Sequence, residues 1–148
     1  MFRNSRCSDM ASRRCSGSER NSSMRRRKVS AASFDVWAQI LNQTQNARLM
    51  LIGRGGGDES AVARLRERFE GAGIAAERLI ILPSQPVLDY YELYNRVDLC
   101  LDPFPFNGGT TGFDSIWMGV PFVTLRGRSL HSRAGSNILN HVGLTDLI

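Results

Sequence analysis

Residues 97–125 read VDLCLDPFPFNGGTTGFDSIWMGVPFVTL. The apolar run 97–101 closes on Asp102-Pro103, which suits a short strand followed by a reversal of the chain. A polar loop from Phe104 to Thr110 comes next. Residues 111–118 have helical composition, and Gly119 stands at the expected C-terminal stop. Residues 122–125, Phe-Val-Thr-Leu, are again apolar with strand chemistry. Strand, loop, helix and strand in that order describe a crossover, and crossovers join parallel strands.

Working outward, the alternation repeats. Residues 49–52 (Leu-Met-Leu-Ile) and 79–82 (Leu-Ile-Ile-Leu) are short continuous apolar runs, the kind buried on both faces of a parallel sheet. Gly53-Arg54-Gly55-Gly56-Gly57 breaks the first and Pro83 ends the second. Helical patterns lie between the runs. Phe34, Trp37, Ile40 and Leu41 share one face of a helix that Ser33 can cap and Asn46 ends. Val62, Leu65 and Phe69 share the inner face of another, capped by Asp58 or Ser60 and stopped by Gly71 and Gly73. Leu88, Tyr91 and Tyr94 follow Pro86 at helical spacing. Residues 131–141 read as a last helix before Gly143. Four alternations predict an α/β fold: a Rossmann-like parallel sheet with helices on both faces. Ligands in such sheets bind beyond the C-terminal ends of the strands, here at Gly53, Pro83, Asp102 and Leu125.

The 148 residues are 42% hydrophobic, enough for one domain with a core. The net charge of +5 is unevenly spread. Residues 1–32 hold nine Lys+Arg against two Asp+Glu, and residues 33–148 hold ten against twelve. The basic character therefore belongs to the N-terminal part, and the acidic balance beyond it argues against a nucleic-acid partner. Residues 1–27, rich in Ser, Arg and Asn, read as a disordered basic arm, with the domain at 28–148. Arg25-Arg26-Arg27-Lys28 is read as a solvated run before an import or RNA signal, and the arm's composition also allows a transit peptide. No apolar run approaches the ~20 residues of a membrane span. Cys7, Cys15 and Cys100 are an odd count without metal spacing, which argues against a disulfide framework or a zinc site. Cys100 reads as a small buried hydrophobe, and a reducing, cytoplasmic setting is expected.

The loop 102–112 is the candidate site. Gly108 and Gly109 let the backbone approach a ligand closely. Thr110 and Thr111 bring hydroxyls to a helix start whose free N–H groups suit a phosphate, with Asn107 beside them. The plainer reading is a Thr-capped helix after a flexible turn. Asp114 either favours the helix dipole or accepts from ribose hydroxyls. The loop 53–57 lacks the G-x-G-x-x-G helix start and a P-loop Lys, so Arg54 is a weak ligand candidate. His131 opens a helix near a strand end, while His141 reads as structural. Neither has partners at metal spacing, and no nucleophile–base pair is legible.

These residues resemble a known family. Residues 99–119, LCLDPFPFNGGTTGFDSIWMG, followed by Val120-Pro121-Phe122-Val123-Thr124-Leu125, are similar to the C-terminal catalytic lobe of protein O-linked N-acetylglucosamine transferases, including bacterial and SPINDLY-type relatives. The similarity continues through Ser132-Arg133-Ala134-Gly135-Ser136 and Val142-Gly143-Leu144. It reaches back through Leu93-Tyr94-Asn95-Arg96-Val97-Asp98 to Trp37-Ala38-Gln39-Ile40-Leu41.

The resemblance implies the C-terminal half of a GT-B glycosyltransferase. It implies transfer of N-acetylglucosamine from UDP-GlcNAc to Ser or Thr hydroxyls of proteins, with no metal, although some SPINDLY-type members use GDP-fucose. Thr110 and Thr111 would then hold the diphosphate in the loop Asn107-Gly108-Gly109, and Asp114 the ribose. Lys28, nine positions before Trp37, falls where the family carries a diphosphate-binding Lys and is the expected catalytic cation. Two positions depart from animal members: Gly109 stands where they carry His, and Tyr90 stands where many members carry His, leaving Tyr90 to stack on the base. The implied partners are a nucleotide sugar, a protein acceptor, and the N-terminal catalytic lobe and tetratricopeptide repeats not legible in this sequence. The chain is accordingly expected to be a fragment, inactive alone. The alternatives are a non-catalytic nucleotide-binding or protein-interaction module, and a degenerate domain whose basic arm binds RNA or a membrane surface.

Overall fold

The computed structural model describes residues 29–148. The basic arm and Lys28 lie outside the described residues. Helix α1 spans Ala31–Gln43, strand β1 Leu49–Ile52, α2 Glu59–Gly71, β2 Leu79–Leu82 and α3 Val87–Leu93. Then follow β3 Cys100–Leu101, α4 Gly109–Trp117, β4 Phe122–Val123 and α5 Ala134–His141. The expected alternation of strands and helices is present, and every strand pair is parallel.

Several boundaries differ from expectation for local reasons. Ser30, not Ser33, caps α1, its hydroxyl accepting from Ser33 N–H at 3.1 Å. Ser33 is buried one turn in, and its hydroxyl donates to the Phe104 carbonyl at 2.7 Å. Asp58 caps α2, accepting from the N–H groups of Ser60 and Ala61. Strands β3 and β4 are shorter than the apolar runs that hold them. Their ladder is bounded at both ends: Cys100 N–H donates to Pro121 C=O and Asp102 N–H to Val123 C=O, Pro121 has no N–H to extend it on one side, and on the other Phe104 N–H donates to Ser33 Oγ at 2.9 Å instead. The last helix begins at Ala134 because residues 130–132 form a 3₁₀ turn. There the Ser132 hydroxyl donates to Ser129 C=O at 2.9 Å, a side-chain bond that competes with helix.

The single four-stranded sheet is a further point of difference. The ladders form two separate pairs, β1 with β2 and β3 with β4. Leu49 pairs with Leu79 and Ile52 with Leu82, while Cys100 pairs with Phe122. Between the pairs lies a slot of about 740 Å³, lined on one side by β1 and on the other by residues 97–103, with Trp37 among its lining residues. No strand among the described residues fills it.

Each pair has its own core. Phe34, Ala38 and Leu41 of α1 pack with Phe69, Ile74 and Leu79, so α1 and α2 cover the β1–β2 pair. Phe69 is fully buried, its ring 4.0 Å from that of Phe34. Phe122, Ile138 and Leu139 form the second core with Cys100, Ile116 and Leu147 at its margin. Ile40, expected on the buried face of α1, is 37% exposed. Cys100 is half-buried, and burial pushes its thiol pKa up.

Candidate functional site

The loop between β3 and α4 is held from beneath by one carboxylate. Asp102, the residue that ends β3, accepts from Gly108 N–H at 2.6 Å and from the Thr124 hydroxyl at 2.7 Å. Burial raises its pKa, while the two hydrogen bonds act the other way. Asn107 is buried, its amide donating to Pro103 C=O and to Thr124 Oγ1, both at 3.3 Å. Asn107 Oδ1 is buried and accepts no hydrogen bond from the described residues. Asn107 N–H donates to His131 C=O at 3.0 Å, which ties the loop to the segment before α5.

Glycine is required at two positions of this arrangement. A Cβ on Gly108 would collide with Thr111 Oγ1, and one on Gly135 with Asp102 Oδ2 and Thr124 Oγ1. The chain therefore turns tightly into α4. Gly108 is its N-cap without a side-chain cap. The first hydrogen bond of the turn runs from Gly112 N–H to Gly108 C=O at 3.2 Å. The N–H groups of Gly109, Thr110 and Thr111 precede that bond, at the positive end of the helix dipole. Thr110 and Thr111 are exposed there. Such a terminus can receive an anion through backbone N–H and hydroxyl donors together.

Asp114 lies further along α4, beside a tyrosine cluster. Tyr91 donates to its Oδ1 at 3.0 Å and Tyr90 approaches Oδ2 at 3.4 Å. The Tyr90 and Tyr94 hydroxyls are 2.6 Å apart. Tyr91 is raised in pKa by its bond to Asp114. Tyr90 and Tyr94 are raised first by burial. All three phenols therefore stay protonated at neutral pH and able to donate.

The structure thus brings Asn107, Gly108, Gly109, Thr110 and Thr111 into one turn, and Tyr90 into contact with Asp114. Arg54 lies exposed in the 3₁₀ turn after β1, with no side-chain partner among the described residues. The His131 ring stacks on Phe106 at 4.4 Å, and His141 Nδ1 lies 2.8 Å from Asn137 C=O. Sequence reasoning missed Asp102, Thr124, Tyr91 and Tyr94. A carboxylate at a strand end just before a Gly-Gly turn was the available signal for Asp102. Nothing in the linear order announced Thr124, which reaches Asp102 only because β3 and β4 pair. Among the described residues no group of three His, Cys, Asp or Glu stands close enough to hold a metal, and no helix is long and apolar enough to cross a membrane.

Parallel strand pairs, covering helices and a glycine-rich helix start at a strand end define a class: α/β domains shaped to receive an anionic ligand at that end. Within this class the chain belongs to glycosyl transferase family 41, whose sequence model matches residues 24–148. It is 33% identical over 124 residues to the probable UDP-N-acetylglucosamine–peptide N-acetylglucosaminyltransferase SPINDLY of Arabidopsis thaliana, covering 82% of this chain and 13% of that protein. The corresponding peptide N-acetylglucosaminyltransferase of Caenorhabditis elegans is 27% identical over 121 residues, covering 82% and 10%. A solved mutant of the O-GlcNAc transferase of Thermobaculum terrenum superposes with a TM-score of 0.79 at 41% identity, covering 81% of this chain and 23% of that one. The fold is therefore the Rossmann-like α/β arrangement expected for the C-terminal half of a GT-B glycosyltransferase. The chain spans about an eighth of the length of the curated plant relatives it matches.

Proposed function

We propose that residues 28–148 are the donor-binding lobe of a cytoplasmic transferase that moves N-acetylglucosamine from UDP-GlcNAc to Ser or Thr hydroxyls of proteins. The observation that carries this reading is the start of α4, where exposed Thr110 and Thr111 stand beside unpaired N–H groups on a loop anchored by Asp102. The diphosphate would sit there. Asp114 would accept from the ribose hydroxyls, exchanging the bonds it now receives from tyrosines, and Tyr90 would face the base. Lys28 would supply a cation to the leaving diphosphate, lowering the barrier by stabilising charge as it develops. The named activity of the matched relatives supports the choice of donor. The reading includes no metal, so chelator should leave nucleotide binding unchanged.

Calorimetric titration of the chain with UDP tests the proposal. A folded sample should bind UDP, and Thr111→Ala should weaken binding about tenfold, the worth of one hydrogen bond to a charged group. Absence of binding by a folded sample would overturn it. Transfer to peptide acceptors is expected to require the remainder of the enzyme. The chain by itself should bind the donor without turning it over.

A further inference from the structure

Tyr90 and Tyr94 are spaced i, i+4, which puts two side chains on one helix face. Tyr90 lies on α3 and Tyr94 in the 3₁₀ turn that follows it. Their rings meet edge-on with 5.3 Å between centroids, and their hydroxyls are 2.6 Å apart. The pair stands between two acceptors. Tyr90 Oη is 3.4 Å from Asp114 Oδ2, and Tyr94 Oη is 3.5 Å from Thr111 C=O.

Counting protons limits how these contacts are made. A phenol has one proton to give, so the pair donates two hydrogen bonds among three contacts. The central contact is the shortest, which leaves one proton for the two ends. In one arrangement Tyr94 donates to Tyr90, and Tyr90 to Asp114. In the other Tyr90 donates to Tyr94, and Tyr94 to Thr111 C=O. A carboxylate is the stronger acceptor, so the first arrangement prevails while Asp114 Oδ2 has no other donor. Tyr91 bonds to the other oxygen, Oδ1, at 3.0 Å and takes no part in the choice.

The second arrangement reaches the start of α4. Thr111 C=O and Gly112 N–H belong to one peptide group, and Gly112 N–H donates to Gly108 C=O at 3.2 Å. Gly108 C=O and Gly109 N–H belong to a second peptide group, and Gly109 is the first residue of α4. A carbonyl oxygen has a second lone pair to spare beside its helix bond. A hydroxyl donating to Thr111 C=O polarises the first group, strengthens its bond to the second and makes Gly109 N–H a better donor.

We propose that Tyr90 and Tyr94 are positioning residues that couple the two halves of the site. A ribose hydroxyl arriving at Asp114 Oδ2 turns the pair from the first arrangement to the second, and Gly109 N–H then holds the diphosphate more tightly. Only O–H bonds rotate, and neither phenol loses its proton. The inference rests on the donor-binding reading above and adds that nucleoside and diphosphate bind cooperatively.

Nuclear magnetic resonance titration of the full 148-residue chain with inorganic pyrophosphate, alone and beside saturating uridine, tests it. Uridine should tighten pyrophosphate binding about threefold. It should also move the Gly109 amide proton downfield before any pyrophosphate is added. Phe at either position keeps the ring and so separates coupling from packing. Tyr90→Phe leaves Tyr94 with Thr111 C=O as its acceptor, so this variant should bind pyrophosphate about threefold more tightly with no uridine present. Tyr94→Phe cannot donate to Thr111, so it should bind pyrophosphate as the unaltered chain does alone, and uridine should bring no gain. The coupling is overturned, and the donor-binding reading stands, if UDP binds but uridine changes neither pyrophosphate affinity nor the Gly109 amide. It is overturned likewise if UDP binds and Tyr90→Phe holds pyrophosphate no more tightly than Tyr94→Phe does, as a purely structural role of the two rings predicts. Failure of the folded, unaltered chain to bind UDP would remove the donor-binding reading and the coupling with it.

Discussion

The Asp102 carboxylate accepts at both oxygens, and removing it would leave Gly108 N–H and the Thr124 hydroxyl without their acceptor. Asp102→Ala should cost about 2 kcal/mol in urea denaturation, within the range for hydrogen bonds to a charged group, and weaken UDP binding as the loop loosens. Asp102→Asn can keep the geometry, its Oδ1 accepting from Gly108 and its amide donating to Thr124 Oγ1. It removes the titration and reverses the Thr124 bond, in which the hydroxyl now donates to Asp102. Burial raises the Asp102 pKa, so the folded protein holds this proton to higher pH than the unfolded chain. Its contribution to stability is present below the ordinary value of 3.8 and is lost as pH rises through the folded value. Relative to Asp102→Asn, the urea midpoint of the unaltered chain should therefore fall as pH is raised from 3.8. Asp58 has the opposite sign. Hydrogen bonds from Ser60 and Ala61 hold its carboxyl below 3.8, so the α2 cap is fully formed above that pH and weakens as pH falls through the depressed value. Circular dichroism at low pH should show helix loss that Asp58→Asn does not.

At the scale of elements, close approach of α4, α5 and β4 fixes where the turn at the start of α4 points. Gly112 brings α4 against Phe122 and Ile138, where a Cβ would stand 3.0 Å from Ile138 Cδ1. Gly135 brings α5 against the Asp102–Thr124 pair, and there an added methyl meets groups that are both hydrogen-bonded. Gly135→Ala should cost about 1–3 kcal/mol by overpacking. It should lower UDP affinity more than Gly112→Ala, whose neighbour is the far end of a flexible side chain. Denaturation and calorimetry on the two variants check the order. The existence of these elements was legible from residues 97–125, because apolar runs and glycine stops alternate there. Their ends were less so. The strand pattern continues through Leu125, but Phe104, the next residue after Asp102 to face β4, gives its N–H to Ser33 Oγ and ends the ladder.

For the whole molecule, the sequence carried the α/β order, the parallel pairing and the residues of the α4 turn. It did not carry the division into two pairs, since an apolar run such as 49–52 reads the same with one neighbour strand or two. Nor did it carry the tyrosine cluster, which assembles from α3, the turn after it and α4. If UDP binds only the folded chain, it stabilises by mass action. At a free concentration of about 100 times Kd the gain should be about 2.7 kcal/mol, readable as a rise in Tm that Thr111→Ala moves to higher ligand concentration. Removal of residues 1–27 should leave that rise in place.

The two tryptophans differ in environment: Trp37 is 7% exposed and lines the slot, while Trp117 is 85% exposed on α4. The chain therefore carries two separable optical reporters. Iodide should quench only the red-edge emission of Trp117. The blue-shifted band of Trp37 should move to the red only when α1 comes away from the strands it covers, so unfolding of that half can be told from events at α4 in real time and without a label.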